Sequence, residues 1–339
     1  LGALPGQQSV RDDEPAHHRR ALTRKTRFEI GGAPAKCERF AGMSSRIGQV
    51  ISERYVLIEV IGKGGHSEVY RAADRQGGPN VAVKILLEGF AGSEEHSVRL
   101  VREHRILKLL EGTFALHVHG IATSPDGAMC LTTELLRGKD LDDVLFDLEG
   151  EGRRLSVKKL GEYLSPIVIT LERAHELEII HRDLKPGNIY VLNYESGGGV
   201  RLIDFGLAKL KGAKPLTREG MIMGSPSYIA PEVWKGNPSA LDQRMDVYSF
   251  GAIVFRALSG RVPFDAGTIQ DKVRLITTAA RPSLRRLRSD LPEGVDAWVS
   301  QVLAIEPDQR FRRVRAAWNA LCDTLGLDHS ELDRHAHAS

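Results

Sequence analysis

Between Tyr55 and Leu136 the chain reads as short strands, and beyond residue 140 it reads as helices. This change of period narrows the fold more than any other feature. "RYVLIEVIG" and "SEVYRAADR" predict two strands around a Gly-rich turn, and "GGPNVAVKILL" predicts a third. "HSVRLVREHRILKLLEG" has apolar residues at helical spacing with Gly112 as a stop. "HVHGIATSPDGAMCLTTELL" gives two further strands across a "PDG" turn. The helical half begins with "KKLGEYLSPIVITLERAHELE", and its exceptions are "IYVL" and "VRLIDF", joined by "ESGGG". Strands first and helices later predict an α+β protein of two lobes.

At 339 residues the chain is long enough for two packed lobes or one large domain. A net charge of +3 is too small to argue for nucleic acid without a basic face. Cys37, Cys130 and Cys322 are far apart and odd in number, which fits a reducing compartment and argues against a disulfide framework or structural zinc. No apolar run reaches the ~18 to 20 residues that span a bilayer. "DVYSFGAIVFRALSG" comes nearest and predicts a buried core helix. With no signal peptide visible, the expectation is a soluble, cytoplasmic protein. Residues 1–47 mix charge, Pro and Gly without a period and are expected to be a disordered or loosely attached arm. Met43 stands just before the first patterned segment and is a candidate for the true start. The tail from 326 is short and polar, and its three histidines lack a metal-ligand context.

The charged segments carry the chemistry. In "IGKGGHSEVY" the glycines let backbone approach a phosphate, or else simply form a tight hairpin. Lys84 in "VAVK" lies on an apolar strand; it needs a partner if it faces inward, or its head reaches solvent. Glu103 on the next helix is a candidate partner, while Arg102, Arg105 and Lys108 read as that helix's solvated face. "IIHRDLKPGNIYVL" places His181, Arg182, Asp183 and Lys185 between apolar flanks. There Asp183 can serve as a base or orient a hydroxyl, Lys185 can neutralise a phosphoryl group in transit, and the Asn188 amide oxygen can hold a metal. Asp204 directly follows an apolar strand, a good place for a Mg²⁺ carboxylate, since Mg²⁺ takes one or two protein oxygens beside phosphate and water. Singly, Asp204 reads as a turn residue and Asn188 as a cap; together with the loop and Lys84 those readings weaken.

In order, "GKGGHSEV", "VAVK", "REHRIL", "HRDLKPGN", "DFG", "SPSYIAPE", "DVYSFG" and "PDQRFR" resemble the eukaryotic-like protein kinase superfamily, and "GGHSEVY" resembles the loop of its bacterial serine/threonine members. The resemblance covers about residues 55 to 325. It implies a two-lobed fold, with a small N-lobe of sheet plus one helix over 55–136 and a larger helical C-lobe over 137–325. It further implies that Ile61, Gly62, Lys63, Gly64, Gly65, His66, Ser67, Glu68 and Val69 cover the ATP phosphates. Lys84, held by Glu103, would contact the α and β phosphates. Val69 and Ala82 would sandwich adenine, Thr133 would limit pocket depth, and the hinge Glu134 to Leu136 would offer backbone hydrogen bonds. Asp183 would take the acceptor's proton, and Asn188 and Asp204 would bind Mg²⁺. Lys185 goes with serine/threonine acceptors, and Ser225 stands where a threonine is usual. Glu232 and Arg310 resemble a buried structural ion pair, and Asp246 a residue that fixes the catalytic-loop backbone.

Three departures stand out: Ser67 at the third glycine position, His66 at the loop tip, and "EGTFALHV" where "HPNIV" is usual. Thr217, the one threonine between "DFG" and "APE", is the expected autophosphorylation site, with Arg182 as a counter-charge. The implied activity is ATP- and Mg²⁺-dependent transfer to protein hydroxyls, with a homodimer for trans-autophosphorylation and no nucleic-acid partner. No sensor domain is visible, so input is expected from a partner, dimerisation or the arm. Two rivals are a pseudokinase scaffold, opposed by the presence of all five machinery residues, and a small-molecule phosphotransferase of related fold, opposed by the "APE" segment.

Overall fold

The computed structural model describes residues 46–91, 93–205, 209–210, 226–236, 241–328 and 330. Cys37, Met43, Thr217, Ser225 and the tail histidines lie outside them. The N-terminal lobe contains β1 (Val50–Ile51), β2 (Tyr55–Lys63), β3 (Ser67–Asp74), β4 (Val81–Leu86), α1 (Glu88–Ala91), α2 (Glu94–Leu109), β5 (Val118–Thr123) and β6 (Met129–Glu134). Its strands form one antiparallel sheet in the order β1-β2-β3-β4-β6-β5.

Alternation along β4 separates two environments. Val81, Val83 and Ile85 join Ile51, Tyr55, Leu57, Tyr70, Ala72, Ala128 and Cys130 in a small apolar cluster. Ala82, Lys84 and Leu86 point to the other face, because successive side chains of a strand oppose each other. Leu86 there joins a much larger core that includes Leu100, Ile106, Leu107 and Leu110 of the α2 region and continues into the C-terminal lobe.

The folded lobe begins earlier than the sequence suggests. Arg46, expected in the loose arm, is 4% exposed. It donates to Asp126 at 2.7 Å and to the Leu86 carbonyl at 3.1 Å. Residue 46 therefore belongs to the folded lobe, and Val50–Ile51 pairs with β2. A two-residue strand is too short to show a period.

The C-terminal lobe contains β7 (Gly138–Asp140), α3 (Leu141–Gly150), α4 (Val157–Glu176), β8 (Ile179–Ile180), β9 (Ile189–Leu192), β10 (Val200–Leu202), β11 (Lys209–Leu210), α5 (Pro231–Trp234), α6 (Arg244–Ser259), α7 (Ile269–Thr278), α8 (Val295–Val302) and α9 (Val314–Leu325). Asp140 and Ser156 cap α3 and α4, accepting from Asp143 and Lys159 N–H groups. In α6 every residue except Arg244 and Arg256 is buried, as its apolar sequence predicts. The "EGTFALHV" segment is tied to the C-terminal lobe: Phe114 N–H donates to Thr170 Oγ1 at 3.1 Å, Leu202 N–H donates to the Phe114 carbonyl at 2.8 Å, and Leu116 N–H donates to the Leu202 carbonyl at 3.0 Å. No helix among the described residues is long and apolar enough to cross a membrane.

Candidate active site

Sheet register assembles the upper half of the site. Val69 pairs with Lys84, Lys84 with Leu131, and Ala82 with Thr133. Directly opposed residues share a face, so these side chains line the face away from the small cluster. Val69, Ala82 and Thr133 are buried. The β2–β3 turn is closed by Gly64 N–H donating to the Ser67 carbonyl at 2.8 Å, which leaves Gly65 and His66 at its tip. Ser67, at the position of a third glycine, is buried and starts β3.

Lys84 does not reach for solvent. Its Nζ lies 2.8 and 3.0 Å from the two oxygens of Glu103, whose side chain is buried on α2. Burial works against the Lys84 charge, but the Glu103 and Asp204 carboxylates outweigh it and hold the ammonium above its ordinary pKa. Lys84 is thus a stable cation between two carboxylates.

The lower half is the loop between β8 and β9. Lys185 Nζ sits 2.5 Å from Asp183 Oδ2. Asn188 Nδ2 donates to the Asp183 carbonyl at 2.7 Å and to Oδ2 at 3.3 Å. The loop bends through Arg182 at φ +69°, and Asp204 sits at φ +64°. Both are unusual for non-glycine residues and need surroundings that enforce them. Asp246 supplies that enforcement for Arg182: its oxygens accept from the N–H groups of His181 at 2.9 Å and Arg182 at 3.0 Å. His175 Nε2 meets the same carboxylate at 2.8 Å. Burial alone would raise the Asp246 carboxyl; the His175 bond, the two imidazoles and the Arg182 N–H hold it below the carboxylate range. His181 is fully buried against the Phe205 ring, centroids 4.8 Å apart.

Helix α6 also holds the segment that follows residue 225. Ser249 Oγ donates to the Tyr228 carbonyl at 2.7 Å and Arg256 donates to the Tyr228 hydroxyl at 3.0 Å. Arg310 and Glu232 form a buried bidentate pair at 2.8 and 2.6 Å, and Arg310 also donates to the carbonyls of Ala304, Ile305 and Arg244.

The structure therefore brings Lys84 to Glu103, and Asp183 to Lys185 and Asn188, with Asp204 close enough to act on Lys84. One expectation changes. Arg102 is not on a fully solvated face: it is half-buried, and burial together with Arg102 lowers the pKa of Arg182, with Asp246 opposing. The Glu134 side chain accepts from the His117 N–H at 2.8 Å and Arg201 at 3.0 Å, and its own N–H is taken by the His117 carbonyl. His175 and Arg201 were not singled out from the sequence. No local pattern says which helical histidine meets an aspartate 71 positions later.

Residues 55–320 match the protein kinase domain family. The chain is 34% identical over 275 residues to serine/threonine-protein kinase PknA of Mycobacterium tuberculosis, an overlap covering 80% of this chain and 61% of that one. It is 28% identical over 265 residues to serine/threonine-protein kinase PrkC of Bacillus subtilis, covering 78% and 39%. The chain thus spans less than two thirds of the length of either relative. The kinase domain of Mycobacterium tuberculosis PknI shares the fold, with a TM-score of 0.63 at 24% identity over 83% of this chain and 99% of that one. The matched span opens at β2 and closes inside α9, taking in every element that carries a site residue, and the chain therefore belongs to the protein kinase domain family.

Proposed function

We propose that the protein is an active serine/threonine protein kinase, transferring the γ-phosphoryl group of ATP to a protein hydroxyl. The observation that carries this reading is the closed Lys84–Glu103 pair above an intact Asp183–Lys185–Asn188 loop. A scaffold that has lost catalysis has no need to keep a lysine charged between two carboxylates.

In the transfer, the acceptor oxygen forms a bond to the γ-phosphorus while the bond to the ADP oxygen breaks. The proton leaving the hydroxyl goes to the Asp183 carboxylate. Lys185, on the same carboxylate, faces the charge spread over the moving group, and Lys84 faces the phosphates that stay behind. Val69, Ala82, Thr133 and Leu136 would enclose the adenine, beneath the loop from Ile61 to Val69.

Asn188 and Asp204 fit a Mg²⁺ ion. A hard cation takes oxygens; the NH₂ end of Asn188 is turned to Asp183, and the Asp204 carboxylate acts on Lys84 from nearby. Bound there, Mg²⁺ would neutralise phosphate charge.

Incubation with radiolabelled ATP, Mg²⁺ and a generic protein substrate tests the proposal. Asp183→Asn should lower transfer by about 10² to 10⁴-fold. Transfer undiminished by that substitution, or absent from the wild-type chain, rejects it. The Asp183→Asn chain offered as acceptor to the wild type tests trans-autophosphorylation, and label on it supports a transient homodimer.

A further inference from the structure

We infer that His66, Phe90 and His96 form a latch that positions the Gly-rich loop against α2, and that protonation of His96 releases it. The three rings come from three places: the tip of the β2–β3 turn, α1, and the first turns of α2. They are mutually in contact, with centroids 4.6 Å (His66–Phe90), 4.6 Å (His66–His96) and 4.7 Å (Phe90–His96) apart. The turn is also tethered through its backbone, as Leu87 N–H donates to the His66 carbonyl at 3.0 Å.

The capping of α2 shows that the His96 ring is held deliberately. Ser93 occupies the N-cap position but makes no side-chain bond to the helix backbone. Its hydroxyl instead meets His96 Nδ1 at 2.9 Å, fixing the ring toward the loop. A serine hydroxyl at this position ordinarily stabilises its helix through a backbone N–H. Here that bond is exchanged for orientation of the histidine.

The surroundings of His96, burial first among them, oppose a charge on its ring. Arg99, one turn along α2, and His66 both oppose a charge on His96, as does burial; Glu95 alone favours it. Glu95 is already paired with Arg99 at 2.6 Å. The cluster is therefore packed while His96 is neutral and separates as pH falls through the lowered value of that imidazole.

The consequence concerns positioning. The helix that carries His96 also carries Glu103, the partner of Lys84. A closed latch makes loop and helix one unit over the nucleotide; an open one leaves the loop free to lift. The nucleotide effect rests on the kinase reading above, whereas the ring contact does not.

Two measurements test it. In isotope-labelled protein, nuclear Overhauser contacts between the His66 and Phe90 rings should be present at about pH 7.5 and lost at about pH 5.5. Affinity for a fluorescent ATP analogue should weaken about five- to tenfold over the same range. The double variant His66→Phe/His96→Phe, which keeps the rings and cannot titrate, should flatten that pH dependence. His66→Ala should bind weakly at both pH values. Contacts that survive at low pH, or a double variant whose profile superimposes on the wild type, would overturn the latch. Failure of the Asp183→Asn assay would instead overturn the kinase reading and leave the ring contacts as a separate result.

Discussion

Asp246 makes more decisions than any other single residue. Its two oxygens satisfy the buried N–H groups of His181 and Arg182 and meet His175, so one carboxylate holds the left-handed bend that precedes Asp183. Asp246→Ala leaves those N–H groups buried without acceptors, at about 1–3 kcal/mol each. Urea denaturation should show a loss of several kcal/mol, with phosphotransfer falling further than stability alone explains. The pH dependence follows from the sign of the shift. Asp246 has a lower pKa folded than unfolded, so its contribution is complete above the ordinary carboxylate range. It is lost as pH falls through the lower, folded value. The wild type should therefore lose stability on acidification below about pH 4 more steeply than Asp246→Asn, which has no carboxylate to protonate there. Parallel acid-unfolding curves would contradict this. The role of Asp246 was legible through resemblance, and Lys84, Glu103, Asp183, Asn188 and Asp204 were legible from residue type and setting. The bend at Arg182 was not, because an arginine at positive φ leaves no mark in the sequence. The Arg182 Nε, buried without a hydrogen-bond partner among the described residues, was equally invisible.

Among the elements, α4 and the segment after α2 show how a departure in sequence is absorbed. "EGTFALHV" gave no basis for its packing, since its bonds run to residues far along the chain. Pro166 sits inside α4, and Thr170 Oγ1 donates to the Pro166 carbonyl at 2.9 Å while accepting from Phe114 N–H. One hydroxyl thus back-bonds within α4 and anchors the incoming loop. Thr170→Val keeps the shape and removes both bonds, leaving the Phe114 N–H without its acceptor. Thermal unfolding should report a destabilisation of about 1–3 kcal/mol, and a Tm unchanged within error would show the anchor to be dispensable. Strand β7 imposes a harder condition. Gly138 lies at φ +152°, and a Cβ there would fall 2.0 Å from the Val191 carbonyl oxygen on the neighbouring strand. That contact is with backbone, so no rotamer relieves it. Element existence and order were readable because period 2 and period 3.6 differ strongly over six or more residues. The ends, such as β1 and the first turn of α2, were not, because caps and two-residue strands are set by distant partners.

At the scale of the molecule, the two lobes are unequal in how they are held. The N-terminal lobe has a cluster of its own on one face of its sheet, but its helix packs Leu100, Ile106, Leu107 and Leu110 into the core that runs through the C-terminal lobe. Backbone bonds between Phe114, Leu116 and Leu202, and the Arg201–Glu134 pair at 3.0 Å, cross the same boundary. The small cluster alone is too little apolar surface to stabilise the sheet, so the lobes should unfold together. Two buried thiols make this measurable. Cys130 lies in the small cluster and Cys322 in the large core, both fully buried. Burial pushes the Cys130 thiol up to about 11, which keeps it unreactive until the lobe opens. In a Cys37→Ser chain, labelling by a thiol reagent in low denaturant should modify Cys130 and Cys322 at rates with the same denaturant dependence. Each would then report the global opening, and unfolding of fragment 46–136 made alone should show no cooperative transition. Faster labelling of Cys130, with a shallower dependence, would mean that the sheet opens by itself. The large core would then hold α2 in place without holding the strands that carry Lys84.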